Sequence, residues 1–248
     1  MDTTRIAALL QPFLRSVPNS CHSEPAKTGE EPAVLSPAQL QSISIYIDIL
    51  LRWNARINLT AIRDPEEIVL RHFGESLFAA SHLLNPQYSG SSASSVVDSF
   101  SPAPSVSSVV RSSYSVADLG SGAGFPGVPL KLWAPQIALT LIESNHKKAT
   151  FLREVVRSLA LTSVQVTNAR AESLTETFDL VTLRAVEDFT SILPTADALV
   201  DAGGCLGLLI GSAQIEPARA LLPRFSWSEP VQMPLSTSRV VLAGSRPR

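Results

Sequence analysis

The apolar positions of this chain change their spacing along its length. Ile6 to Leu14 form a short apolar stretch that predicts one helix. Leu40, Ile43, Ile47, Leu50 and Leu51 recur at helical spacing behind Ser36-Pro37, which reads as an N-cap followed by proline at the first helical position. An amphipathic helix to about Trp53 is therefore expected, and a second helical stretch spans Pro65 to Leu84. From Val116 onward short apolar runs alternate with amphipathic ones. They predict strands at 116–120, 137–143, 164–168, 178–183 and 205–211, with helices at 126–134, 145–160, 187–201 and 213–222. That alternation implies an α/β fold with a mainly parallel sheet and helices on both faces. Trp227 to Met233 and Arg239 to Ala243 resemble a terminal pair of strands.

Two stretches break the pattern. Ser16 to Ala33 carries Pro18, Pro25, Gly29 and Pro32 among polar residues and reads as a loop or linker. Residues 89–115 are about half serine, with few large apolar side chains, so they have little capacity to pack. A disordered insertion without chemistry is expected there. The chain thus divides into a short helix and linker (1–35), a helical N-terminal cap (36–86), the Ser-rich insertion (87–115) and an α/β domain (116–248).

Composition adds limits. A hydrophobic fraction of 45% is ample for a core, and a net charge of −2 creates no global field toward RNA or membrane. Any nucleic-acid surface must be local. Arg52, Arg56, Arg63 and Arg71, interleaved with Trp53 and His72, make such a patch. Arginine and aromatic planes stack on splayed bases, although a solvated helical face is the plainer reading. Only Cys21 and Cys205 occur, far apart, which argues for a reducing, cytoplasmic setting. No apolar run reaches the roughly 18 residues of a membrane span. No metal and no membrane partner are expected, and a monomer is.

The chemistry concentrates in Val116-Ala-Asp-Leu-Gly-Ser-Gly-Ala-Gly-Phe-Pro-Gly127, a buried strand, a glycine turn and a helix opening at Pro126. Gly120, Gly122 and Gly124 let the backbone approach a ligand, and such a turn is where open α/β sheets bind nucleotides. Gly122-Ala-Gly124-Phe-Pro-Gly127 formally satisfies the dinucleotide fingerprint G-x-G-x-x-G. Yet Asp118, two residues before the first glycine, repels a pyrophosphate and suits the ammonium or sulfonium of S-adenosylmethionine. Alternatively, Asp118 only ties down loop amides. Glu143 closes the second strand about 23 residues beyond Gly120, where a carboxylate can accept both ribose hydroxyls. Glu172, in Asn168-Ala-Arg-Ala-Glu172, is placed to take the adenine amino group, with Ala171 as a small wall and backbone donor.

The fourth strand ends Thr182-Leu-Arg184-Ala185, near where this fold class holds its target atom. No Asn/Asp-Pro-Pro-aromatic motif for exocyclic amines is present, and no lysine follows Lys148. Cys205 reads as a packed small hydrophobe. What remains is chemistry needing no protein base, such as attack by the free lone pair of guanine N7, with catalysis by positioning and electrostatics. No catalytic residue is certain; Arg184 is the candidate for substrate positioning.

Three blocks resemble the bacterial glucose-inhibited division protein B family: Trp53-Asn-x-x-Ile-Asn-Leu-Thr-Ala-Ile62 with His72-x-x-Glu75-Ser76-Leu77; Asp118 to Gly127; and Arg170-Ala-Glu172 with Arg184-Ala185. The resemblance covers roughly Pro37 to Gly211 apart from the insertion, and Glu75 stands where the family usually has Asp. It implies a Rossmann-like class I methyltransferase fold with a seven-stranded sheet. It also implies methylation of guanine N7 in small-subunit ribosomal RNA, or a subunit precursor, from S-adenosylmethionine. By resemblance Gly120, Phe125, Ala171, Glu172 and Arg184 contact that cofactor. A small-molecule methyltransferase, or a non-catalytic RNA-binding assembly factor, are the alternatives.

Overall fold

The structure, a computed structural model, describes residues 1–14, 35–84, 114–185 and 188–248. The Ser-rich insertion and the linker between the first two helices lie almost wholly outside those residues. Helix α1 (Thr3–Leu14) buries Ile6, Leu10 and Phe13. Helix α2 (Pro37–Asn54) opens with a capping box: Ser36 Oγ accepts from Gln39 N–H at 3.3 Å, and Gln39 Oε1 accepts from Ser36 N–H at 2.7 Å. The expected helix over 65–84 is continuous but not uniform. Asp64 caps α3 (Pro65–Ile68), which runs into a π-helical turn (Val69–Gly74) and then α4 (Glu75–Leu83). A π-helical turn shifts the residues that share a face, which a 3.6-residue periodicity does not encode.

The strands are β1 (Ser115–Leu119), β2 (Ala138–Ile142), β3 (Val164–Thr167), β4 (Phe178–Arg184), β5 (Val200–Gly211), β6 (Ser226–Trp227), β7 (Val231–Gln232) and β8 (Arg239–Ser245). Their order is β3-β2-β1-β4-β5-β8-β6, with β7 also on β8. The first five are parallel, and β8 runs antiparallel beside β5. Eight strands replace the expected seven because the last edge strand is broken. Trp227 pairs with Gly244 and Val231 with Val241, one residue out of step across Ser228–Pro230. Proline has no N–H to give a ladder there.

Helices α5 (Gly127–Trp133) and α6 (His146–Ser158) cover one sheet face, and α7 (Phe189–Leu199) and α8 (Ile215–Leu221) the other. Residues alternate accordingly: Val116 and Leu180 join the first core, Ala117 and Val181 the second. The first core also contains Ile6, Ile43, Leu50, Phe73 and Leu77. The expected boundary between the cap and the α/β domain is thus not a physical one: α1 to α4 and the sheet share a core. No described helix is long and apolar enough to cross a membrane.

Candidate active site

One cleft of about 480 Å³ opens at the carboxyl ends of the central strands. Its first wall is the glycine turn, with Gly120, Ser121, Gly122, Ala123 and Phe125 facing the space. The turn closes where Gly124 N–H donates to Ser121 O at 2.6 Å. Helix α5 begins at Gly127, with Pro126 at the N-cap and not at the first helical position. A methyl group at Gly120, which sits at φ +68, would meet no atom within 4 Å, so this backbone borders open space. Gly124, at φ +84, faces the other way: a methyl group there would collide with the Tyr46 hydroxyl. Tyr46 is fully buried on α2, donates to Ala123 O and stacks on Phe125 at 5.3 Å. The cap therefore holds the turn from behind.

The two carboxylates near the turn have different jobs. Glu143 lines the cleft while accepting from Gly122 N–H at 2.9 Å and Asn145 N–H at 2.7 Å. Asp118 does not line it. Its oxygens accept from Gly127 N–H at 3.2 Å and Thr182 Oγ1–H at 3.0 Å, and only 1% of the residue is exposed. The expectation that Asp118 meets a ligand directly gives way to a buried brace that fixes the turn on β4. Burial pushes its carboxyl up to about 6, against the hydrogen bonds from Thr182 and Gly127.

The opposite wall is built on Glu75, only 2% exposed. Its carboxylate meets Arg71 Nε at 3.2 Å, Arg184 Nη2 at 3.0 Å and Arg239 Nη2 at 2.7 Å. Arg184 also donates to the Arg71 carbonyl and to His72 Nδ1, the latter at 3.2 Å. All five residues line the cleft. Burial and the charges of Arg184 and Arg71 hold His72 down to about 3, so the ring is neutral. It stacks on Phe125 at 4.8 Å and so joins the two walls.

Other expected residues lie apart. Arg52 is 71% exposed and pairs with Glu154 at 4.0 Å; Arg56 and Arg63 are exposed outside the cleft lining. Trp53 is a pin, donating to Glu154 at 3.0 Å and packing on Phe151. Ala171 and Glu172 sit on a 3₁₀ turn (Ala171–Ser173) beyond β3, outside the cleft lining. Cys205 is 4% exposed with its thiol pushed up to about 12 by burial, as a packed hydrophobe should be. Arg239 and Thr60 are cleft residues the sequence reading passed over. The only local signal for Arg239 is a charge at the start of an apolar strand.

A parallel sheet of order β3-β2-β1-β4-β5 finished by an antiparallel strand, with a glycine turn after β1 and an acid after β2, defines a class I methyltransferase, the class that uses S-adenosylmethionine. The chain belongs to the GidB family, rRNA small subunit methyltransferase G, whose profile matches residues 39–98 and 91–234. The ribosomal RNA small subunit methyltransferase G of Desulfitobacterium hafniense is 38% identical over 176 residues, 68% of this chain and 62% of that protein. The protein of that description from Xylella fastidiosa is 37% identical over 198 residues, 78% of this chain and 80% of that protein. Among solved structures, P. horikoshii TYW2 in complex with MeSAdo aligns with a TM-score of 0.47 at 13% identity, covering 57% of this chain and 60% of that one.

Proposed function

We propose that this protein methylates N7 of a guanine in small-subunit (16S) ribosomal RNA. The observation that carries the reading is one cleft lined on one side by the glycine turn and Glu143 and on the other by Arg71, Arg184 and Arg239. The glycine wall fits S-adenosylmethionine: Gly120 leaves open space beside a bare backbone, and Glu143 presents a carboxylate at the end of β2. When bound, that cofactor would supply an electrophilic methyl group on a sulfonium, suited to the N7 lone pair, with the thioether as leaving group. No proton moves, so no protein base is needed.

The chain's own work is to hold and align. Gly120, Gly122, Phe125 and Glu143 carry the nucleoside side. Ala171 and Glu172 are assigned to the adenine edge from their place after β3. Asp118 braces the turn. Arg184, pinned by Glu75 in the arginine wall, aligns the reacting partners, and Arg71 and Arg239 face the RNA phosphates. Arg52, Arg56 and Arg63 are exposed outside the cleft lining and are given no part in holding the target base.

The test is methyl transfer from labelled cofactor to small subunits lacking N7-methylguanine, followed by mapping of the modified base. Arg184→Ala should slow single-turnover transfer at saturating cofactor by roughly tenfold or more, from the loss of charge-assisted hydrogen bonds. Arg219→Ala, on α8 and outside the cleft lining, should not. Methylation at a position other than guanine N7, or no transfer at all, refutes the reading.

A further inference from the structure

The Asn-Leu-Thr block has no part in the roles just assigned, yet it borders the cleft. Asn54 ends α2 with only 5% of its surface exposed. Its Oδ1 accepts from Leu59 N–H at 2.9 Å and Thr60 N–H at 3.0 Å, and its Nδ2 donates to the Thr60 carbonyl at 2.9 Å. One side chain thus closes the loop and fixes Thr60 at the cleft.

The hydroxyl of Thr60 is then oriented from two sides. A guanidinium only donates, so the Arg184 contact makes His72 Nδ1 an acceptor. The proton of the neutral ring is therefore on Nε2, and it is donated to Thr60 Oγ1 at 2.8 Å. The N–H of Ile62 donates to the same oxygen at 3.1 Å. Both lone pairs of Oγ1 are taken, and no acceptor among the described residues takes its proton. A hydroxyl in that state is a donor without an acceptor, on a residue that lines the cleft.

Guanine and adenine share N7, but the neighbouring exocyclic group differs: O6 of guanine accepts, N6 of adenine donates. We propose that the Thr60 hydroxyl is a specificity-determining donor to O6 of the target guanine, so the base is read on the edge where it is methylated. Adenine would set donor against donor. The inference rests on the function proposed above and adds the residue that selects the base.

The experiment compares wild type, Thr60→Val and Thr60→Ser on small subunits carrying guanine, inosine or 2-aminopurine at the mapped position; the last keeps N7 and lacks O6. Single-turnover rates, cofactor affinity by calorimetry and melting temperature are read. Wild type should handle inosine like guanine and slow roughly tenfold on 2-aminopurine, the effect of one lost hydrogen bond. Thr60→Val should show that slowing on guanine with little further loss on 2-aminopurine, at unchanged cofactor affinity, and Thr60→Ser should restore the rate.

Equal wild-type rates on guanine and 2-aminopurine overturn the assignment, a result that stands even if Thr60→Val does not fold. So does a Thr60→Val cost that is the same on both bases, or one that tracks weakened cofactor binding, which would make the cofactor the acceptor. A wild-type protein that transfers nothing to guanine removes the functional reading itself, and this inference with it.

Discussion

The two walls of the cleft are made in opposite ways. The glycine wall comes from one run, Asp118 to Gly127, in which turn, brace and helix start are neighbours in sequence. The arginine wall is assembled from the π-helical turn, the end of β4 and the start of β8. Its Glu75–Arg184 and Glu75–Arg239 contacts close over 109 and 164 residues. A local wall is held by backbone hydrogen bonds and conformation; a distant one is held by charge. The first should fail through strain and the second through unbalanced cations.

The largest effect is expected at Glu75. Replacing it with alanine leaves three guanidiniums without their shared anion, and losing one partner of a buried pair costs about 3–5 kcal/mol. Urea denaturation should show that loss, while Glu75→Asp, which keeps the shared anion, should recover most of it. Glu143→Gln, which touches backbone amides and no arginine, should cost far less stability and weaken cofactor binding instead. Equal losses at the two carboxylates would erase the contrast between the walls.

Next come the glycines. Gly124→Ala combines φ +84 with a collision against Tyr46 and should cost about 2 kcal/mol or more. Gly120→Ala, at φ +68 beside open space, should cost about 1 kcal/mol and show mainly as weaker cofactor affinity. Denaturation and calorimetry on the pair separate strain from blockage.

A smaller, pH-dependent effect belongs to His72. The ring titrates near 6.5 in an unfolded chain and is held down to about 3 in the fold. The unfolded state therefore takes up a proton that the native state refuses. The stability tied to the neutral ring is full above about 6.5 and drains away as pH falls toward 3. The melting-temperature gap between wild type and His72→Gln should be widest at pH 7.5 and shrink by pH 5. The raised Asp118 carboxyl acts in the opposite sense but is common to both proteins, so it drops out of the gap. A gap that does not move with pH means the cleft accepts a charged ring. Smallest is Tyr46→Phe, which removes one hydrogen bond to Ala123 O and keeps the stacking, for about 1 kcal/mol by denaturation.

What could be read from sequence follows the same division. The strand–helix alternation, the glycine turn and Glu143 all rest on spacing over a few to about 25 residues, and they stand where expected. Asp118 had two readings, ligand contact or a tie to the loop amides; the structure takes the second through Gly127 N–H, and adds Thr182, 64 residues away, which no local pattern reveals. Arg71 and His72 were picked out for charge and aromatic character, while Arg52, Arg56 and Arg63 shared that character and point elsewhere. Nothing local tells them apart: the π-helical turn and the pairing with Glu75 do, and both are set by packing. Trp53 looked like a base-stacking platform and is a pin in the cap, since Phe151 and Glu154 arrive from α6. Arg239 could have been suspected only as a charge opening an apolar strand.

The placement of β8 also orders events during synthesis. It slots between β5 and the broken β6–β7 edge, yet it follows them all in the chain. A nascent chain that has emerged through β7 still shows the edge of β5, with Leu206 to Leu209 awaiting a neighbour, and an open edge invites association with other chains. The same chain lacks Arg239, so Glu75 faces two arginines where the finished wall has three. One seven-residue strand therefore seals the sheet and completes the cleft together. An interrupted product is left with an open sheet edge and without a finished cleft.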